Sequence, residues 1–518
     1  MSYKKCFAKS LGKNKFKIHL WDEAGYDEIE WWNPAYVEDP EGKFNGINGE
    51  KLTKTYKWDK FTNNIHFHDM KPYQKFLIER YGIDDTPSTG HREVFFDIEC
   101  EIGGALTEDY IESAPMPITS IAYWDKTPDT WHILILDKKN QLKHTKAKNK
   151  EIIPCRTENE LLGLFIEKVR DMDPDILVGY NSDYFDIPYL YYRMCNTIGE
   201  EFAKHLSPIG VVNCKKGNKW WFKRNQFVEI VGVESLDYIR LHKKYSWKDE
   251  LDEKLQYIAL TKNLSHKGKH NYSEVYANTV SQDGAISAYL LSQGIIPPRR
   301  DEHPIHKKNY AGGYLFCPKA GLYKYMFDED LTSLYPSIIM SINIGKETLK
   351  GRIIDPDDRN NRLGLNDLKK RDPEEDLLVE NKNRQQAYVP VKKLIQMIKE
   401  NNLAISANGV FFETKKESVL STILKKWFEE RVIYKDAMKE AYQAGDTVKG
   451  EYNYLMQYTM KILLNSLYGA TALGSFRYGN VILSEAITLS GQRIIQESAL
   501  CANRHMNKVI KNQIKLEI

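Results

Sequence analysis

The residues best placed for chemistry in this 518-residue sequence are carboxylates at the ends of candidate strands. In VFFDIEC, strand alternation puts Asp97 and Glu99 on one face and Phe96 and Ile98 on the other. Like charges that close raise each other's pKa unless a divalent cation neutralises them, so the pair reads as a Mg2+ or Mn2+ platform; a polar strand edge is the ordinary alternative. Further on, ILVGYNSDYFDIPYLYYR joins a buried strand to a helix that Asp186 starts, with Pro188 in the permissive first turn. Asp186 is then either a third ligand or a helix N-cap.

A second constellation suits a phosphorylated ligand. GLYKYMFDEDLTSLYPSIIMSINI runs as a strand to Asp328 and Asp330 and turns through SLYPS into a helix, a geometry that aims backbone N–H groups at phosphate. Two long helical patterns follow. On the first, Arg431 and Lys435 are four apart and share a face; on the second, Lys461, Asn465 and Tyr468 follow i, i+4, i+7 spacing. Three cations and an amide facing one cleft suit a triphosphate with its metal; two ordinary amphipathic helices are the alternative.

These groups need elements to hold them. Residues 1 to 90 mix apolar-aromatic runs with Gly and Asn turns, as β-hairpins do. From Val94 onward VFFDIE, ITSIAYW, WHILILD, the helical ELLGLFIEKVRDM and DILVGY predict an α/β layer. QLKHTKAKNK reads as a solvated basic loop, and the charged stretch 351–386 as a mobile insertion without chemistry. The helical patterns span Val419 to Ala444 and Tyr452 to Tyr468, joined by a GDTVKGE turn into an antiparallel hairpin, and a last one spans Ser484 to Lys511.

Length predicts several domains. A formal charge of +3, from 74 Lys and Arg against 71 acids, does not by itself announce a nucleic-acid binder. Seven scattered cysteines form no zinc or disulfide spacing and read as reduced thiols. With no signal-peptide pattern and no membrane-spanning stretch, the expected setting is soluble and intracellular.

FFDIE and YNSDYFDIPYL resemble the first and second exonuclease motifs of family B DNA polymerases, most closely those of T4-like phage enzymes. DLTSLYPS is similar to that family's Asp-x-x-Ser-Leu-Tyr-Pro-Ser motif and selects Asp330 over Asp328. KILLNSLYG is similar to its Lys-x-x-x-Asn-Ser-x-Tyr-Gly motif, WFEERVIYKDAM to its basic fingers helix, and KKNYAGGYLFCP to its exonuclease-to-palm linker. All follow the family's order.

The resemblance implies an α+β and α/β multidomain fold: an N-terminal mixed β domain (1–90), a ribonuclease H-like 3′→5′ exonuclease domain (91–300), a first part of the palm (301–410), helical-hairpin fingers (411–470) and an incomplete second part of the palm (471–518). It implies metal ligation by Asp97, Glu99 and Asp186, with Asn181 and Phe185 on the primer end. Asp330 and the Leu331 carbonyl would hold the polymerase metals. Ser333, Leu334 and Tyr335 would bracket triphosphate and sugar, Tyr335 acting as the steric gate against a 2′-hydroxyl. Arg431, Lys435 and Lys461 would hold phosphates, Asn465 would help place the nucleotide, Tyr468 with Gly469 would pack against the nascent pair, and Tyr310, Gly312 and Gly313 would touch template. Two Mg2+ or Mn2+ ions per active site are implied.

Two departures matter. The family's third exonuclease motif, Tyr-x-x-x-Asp, is matched only by the spacing of Tyr245 and Asp249, in a region that reads as deleted, which puts hydrolysis in doubt. The second acidic palm motif, Tyr-Gly-Asp-Thr-Asp-Ser, does not occur, and the sequence stops at QIKLEI, about where the family enters the strand leading to it. The expectation is therefore a DNA-directed DNA polymerase chain of a phage-infected bacterial cytoplasm, working on primer–template DNA and dNTPs with a sliding clamp. A second polypeptide would supply the Asp-Thr-Asp motif and thumb. A fragment or a decayed gene is the rival origin; a catalytically silent DNA- and nucleotide-binding remnant or a stand-alone exonuclease is the rival function.

Overall fold

The computed structural model describes residues 2–59, 62, 64–101, 103–105, 107–215, 227–245, 255–300, 311–315, 320–322, 330–354 and 362–510. Two compact units form, one from residues 1–35, 54–62 and 70–293, the other from 36–53, 63–69 and 294–518.

The first unit is built on a seven-stranded mixed sheet in the order Thr145–Ala147, Lys150–Cys155, Thr130–Leu136, Ile118–Asp125, Glu93–Cys100, Ile176–Gly179, Glu234–Asp237. Glu93–Cys100 lies inside it, antiparallel to Ile118–Asp125 and parallel to Ile176–Gly179. Its alternation is the one expected: Phe96 and Ile98 are buried, whereas Asp97 and Glu99 are exposed. The helix Glu158–Met172 starts where the Thr157 side chain accepts from the Glu160 N–H, and buries Leu161, Leu162, Phe165, Ile166 and Val169 in the sheet's core. The basic run is exposed and contains the edge strand Thr145–Ala147. Near the N-terminus, Tyr3–Gly12, Lys15–Asp22 and Gly25–Trp32 form the expected antiparallel hairpins, around Tyr3, Cys6, Ile18 and Leu20.

In the second unit, a five-stranded antiparallel sheet runs Gln386–Pro390, Asp376–Asn381, Leu349–Ile353, Val410–Glu413, Leu403–Ile405. This corrects the reading of 351–386 as a mobile insertion for its described residues. Leu377 and Val379 share one face of their strand and pack, with Ile353, Leu363 and Phe411, under the helix Val391–Glu400. Buried apolar positions in an otherwise charged stretch are enough to fold a hairpin against a sheet.

The helical hairpin consists of Val419–Gln443 and Thr447–Thr471. Its second helix starts earlier than expected because the Asp446 side chain accepts from the Lys449 N–H, capping the helix inside the presumed turn. Only Ala444 to Asp446 turn, through Gly445 at φ +77°. The last described helix is Val481–Ile510. Among the described residues no helix is long and apolar enough to cross a membrane.

A fully buried arginine pins the segment between the last two helices. Arg477 Nη1 lies 2.6 Å from Asp69 Oδ1, the same guanidinium also donates to the Pro298 carbonyl, and it sits over the Phe67 ring at 5.6 Å. Asp69 accepts in addition from the Arg300 N–H at 2.8 Å. Burial pushes the Asp69 carboxyl up, but the Arg477 charge and hydrogen bond, joined by the Arg300 N–H and charge, together outweigh it and hold the group below the usual carboxylate range. Arg477→Met is expected to cost about 3–5 kcal/mol, because it strands a buried carboxylate. Denaturant unfolding checks this, and a loss below about 1 kcal/mol, the scale of a surface pair, contradicts it.

Candidate active sites

The first site forms where the Asp97 strand meets the loop after Ile176–Gly179. Phe185, not Asp186, occupies the N-cap of the helix Asp186–Thr197, with no side-chain cap. The N-cap alternative for Asp186 therefore fails. Its Oδ1 instead accepts from the Ile98 N–H at 3.2 Å, tying it to the strand between Asp97 and Glu99. Burial pushes the Asp186 carboxyl up to about 7, with the Ile98 N–H opposing that rise and the Asp97 charge adding to it. Phe185 stacks on Tyr189 at 5.4 Å and Asn181 takes a left-handed conformation at φ +63°.

A polar network that the motif reading did not assign holds this loop. Asp237, wholly buried at the end of its strand, accepts from the N–H groups of Asn181 and Ile239 at 3.0 Å and of Asp183 at 3.4 Å. Asp183 pairs with Arg240 and accepts from the Ser235 hydroxyl at 2.6 Å. The Arg240 guanidinium lies 3.7 Å from the centre of the Tyr276 ring. SLDYIRL holds both Asp237 and Arg240, yet nothing in their spacing names partners more than fifty positions upstream.

Tyr245 is buried, its ring 5.6 Å from Tyr257 and its hydroxyl 3.3 Å from Thr261, so it packs the interior. Asp249 lies outside the described residues. Asp97 and Asp186 are electrostatic neighbours, which is the donor chemistry a divalent cation fits. Among the described residues, however, no group of three His, Cys, Asp or Glu is gathered closely enough to hold a metal.

The second site lies around the helix Leu334–Ile342. Asp330 and Leu331 are exposed ahead of it, and Ser333 takes φ +52° at its N-cap. The Tyr335 ring packs on the Tyr468 ring with centroids 4.3 Å apart, joining the SLYPS turn to the second helix of the hairpin. Two glycines make room for it. A Cβ on Gly491 would lie 3.0 Å from the Tyr335 ring, and one on Gly313 3.0 Å from its hydroxyl. Gln492 donates to the Gly312 carbonyl at 2.7 Å. Gly491 and Gln492 were missed; a glycine inside an apolar helical run was the available signal.

On the hairpin, Arg431 is half-buried and donates to Gln457 Oε1 at 3.5 Å, Lys435 is exposed, and Lys461 lies 5.5 Å from the Tyr458 ring centre. Asn465 and Gly469 are exposed, and a Cβ on Gly469 would meet nothing within 4 Å. Tyr310 and Asp328 lie outside the described residues.

Two family models match this chain: DNA polymerase family B over residues 281–518, and the exonuclease domain of DNA polymerase family B over residues 72–258. The chain belongs to DNA polymerase family B. The DNA-directed DNA polymerase of Escherichia phage RB69 is 26% identical, over 80% of this chain and 55% of that protein. That of Enterobacteria phage T4 is 25% identical, over 69% of this chain and 47% of that protein. The chain thus spans about half the length of the curated relatives it matches. The fold is that of the family B DNA polymerase of Pyrobaculum calidifontis, with a TM-score of 0.63 at 14% identity over 97% of this chain and 72% of that one. The T4-like resemblance and the multidomain fold class expected from the motifs are borne out. Both family B domain types use divalent metals.

In the family B exonuclease-type unit, folded Asp186 keeps its proton to about pH 7, whereas an unfolded aspartate releases it near pH 3.9. Its contribution to stability therefore falls as pH rises between those values. In metal-free protein, Asp186→Asn should raise the thermal midpoint more at pH 8 than at pH 5. An equal change at both pH values contradicts the raised pKa.

Proposed function

We propose that this chain carries the nucleotide-selecting half of a DNA-directed DNA polymerase centre, adding dNTPs to a primer under template direction, with Mg2+ or Mn2+ as its two ions. The observation that carries this reading is the Tyr335–Tyr468 contact, which sets the proposed steric gate against the proposed base-pair face. Arg431, Lys435 and Lys461 hold the triphosphate; Ser333 and Leu334 bracket it; Tyr335 excludes a 2′-hydroxyl. Asn465 helps place the nucleotide and Tyr468 with Gly469 packs against the nascent pair, while Tyr310, Gly312 and Gly313 contact template.

Asp330 and the Leu331 carbonyl would hold the ions, which when bound neutralise charge on the phosphates and the attacking hydroxyl. One aspartate cannot hold two octahedral ions. Tyr-Gly-Asp-Thr-Asp-Ser does not occur in these 518 residues, and in our reading a separate chain supplies those carboxylates and the thumb. A sliding clamp and the cytoplasm of a phage-infected bacterium complete the setting.

For the exonuclease, Asp97, Glu99 and Asp186 would hold the ions and Asn181 and Phe185 the primer end, with Asp249 a fourth ligand by spacing alone. We propose the domain division that the motifs imply: 1–90, 91–300, 301–410, 411–470 and 471–518. A catalytically silent binding remnant is the second reading, favoured by the absence of a gathered metal cluster among the described residues.

Mixing this chain with a polypeptide bearing the Asp-Thr-Asp motif and thumb, primed template, dNTPs and Mg2+ should restore primer extension. Asp330→Ala should abolish it. No extension in the mixture contradicts the polymerase reading. Degradation of single-stranded DNA by this chain alone, lost in Asp97→Ala but kept in Asp330→Ala, would assign a stand-alone exonuclease instead.

A further inference from the structure

The basic run QLKHTKAKNK and the aromatic residues on the outer face of the seven-stranded sheet serve neither site. Strand register lines up one row of side chains across four adjacent strands: Phe95 pairs with Trp124, Trp124 with Trp131, and Trp131 with Lys150. Residues paired in register share a face, and alternation puts Phe95 on the same face as Asp97 and Glu99. The row therefore runs from the basic edge of the sheet to a position two residues before Asp97, about 7 Å along the strand.

The core lies on the opposite face, where Phe96, Tyr123, Leu134 and Ile153 pack, so these rings are not needed to fill it. They order one another instead. The Phe95 and Trp124 centroids are 5.2 Å apart, and those of Trp124 and Trp131 are 5.7 Å apart with planes 14° from parallel. The Trp124 indole N–H donates to Asp129 Oδ1 at 3.0 Å, which fixes that ring. Trp131 is 47% exposed, and Phe95 and Trp124 are half-buried.

The cations beside this row are available. Lys143, Lys148 and Lys150 are exposed and form no ion pair with a described residue. Glu151, the nearest anion in sequence, alternates to the other face, where His132, His144 and Lys146 lie 3.1–3.9 Å from it. Glu93, on the face of the row, is paired with Lys126 at 2.6 Å and with Lys262 at 2.7 Å. Half-exposed rings next to exposed lysines suit a ligand that offers flat apolar faces and regularly spaced anions together, which is a single-stranded nucleic acid. A duplex keeps its base faces stacked internally and would meet only the lysines.

We infer that this row is a stacking track for single-stranded DNA. Bases lie against Trp131 and Trp124, Lys143, Lys148 and Lys150 hold phosphates, and the strand leads over Phe95 to the Asp97–Glu99 pair. The choice of DNA and the direction of the strand rest on the exonuclease reading; stacking on the rings does not depend on cleavage.

A labelled oligothymidylate and an abasic strand of the same length and charge, compared by fluorescence anisotropy in EDTA, separate stacking from charge. Trp131→Ala should weaken oligothymidylate binding about tenfold and leave the abasic strand unchanged. Lys143→Gln/Lys148→Gln, which alters two exposed side chains, should lower the log K against log salt slope by about 1.4 on both strands. An oligothymidylate carrying 5-iodouracil should photo-cross-link to Trp124 or Trp131, which locates the contact on this face. Unchanged affinity in Trp131→Ala, an equal loss on both strands, or adducts confined to other parts of the chain overturns the inference. Cleavage in Mg2+ is assayed separately. The tryptophan adduct in a chain that cuts nothing supports the track and contradicts the exonuclease reading, whereas cutting without the adduct does the reverse.

Discussion

Two carboxylates brought into one cleft repel, and each must be neutralised by a cation, be protonated, or move apart. The first unit is organised around that constraint. Asp97 and Glu99 stand on the open face of an interior strand, while Asp186 is buried on the Ile98 N–H and keeps its proton to about pH 7. A divalent ion is the physical alternative to that proton. Holding Asp186 there requires the loop before it to be stiff, and Asp237 provides the stiffness by taking three backbone N–H groups of its surroundings. Loss of those acceptor bonds would leave buried donors unpaired, each costing about 1–3 kcal/mol.

In the second unit buried charge is satisfied by pairing. Arg477 is wholly enclosed yet has a carboxylate, a carbonyl and an aromatic face around it, which ties residues 67–69 and 298 to the segment between the last two helices. Of those two helices, the first carries Tyr468 and the second Gly491, the two positions that enclose the Tyr335 ring. Sugar selection in our reading thus depends on a ring fixed by packing, whereas the phosphate-binding cations remain half-buried or exposed.

Much of this was legible from local pattern. Strand alternation placed Asp97 and Glu99 outward and Phe96 and Ile98 inward, because a two-residue period has only one way to bury its apolar set. The helical hairpin followed from its periodicity, and only its turn was misjudged, since Asp446 acts as a cap rather than a loop residue. What stayed hidden depends on distant partners. Asp183 and Arg240 pair across 57 positions, and Arg477 with Asp69 across 408; a charged residue carries no local mark of being buried. The hairpin after residue 375 was hidden for another reason: its short apolar runs, 377–379 and 387–389, sit inside a long stretch dominated by charged and amide residues.

The central claim is that the nucleotide-selecting face is assembled from the residues of this chain. Equilibrium binding of Mg2+–dNTP and of the matching Mg2+–rNTP to the wild-type chain and to Lys461→Ala tests it most directly. The account predicts that the wild type binds the dNTP in preference to the rNTP and that Lys461→Ala loses both. Equal binding of the two nucleotides, or binding that survives Lys461→Ala unchanged, would contradict it.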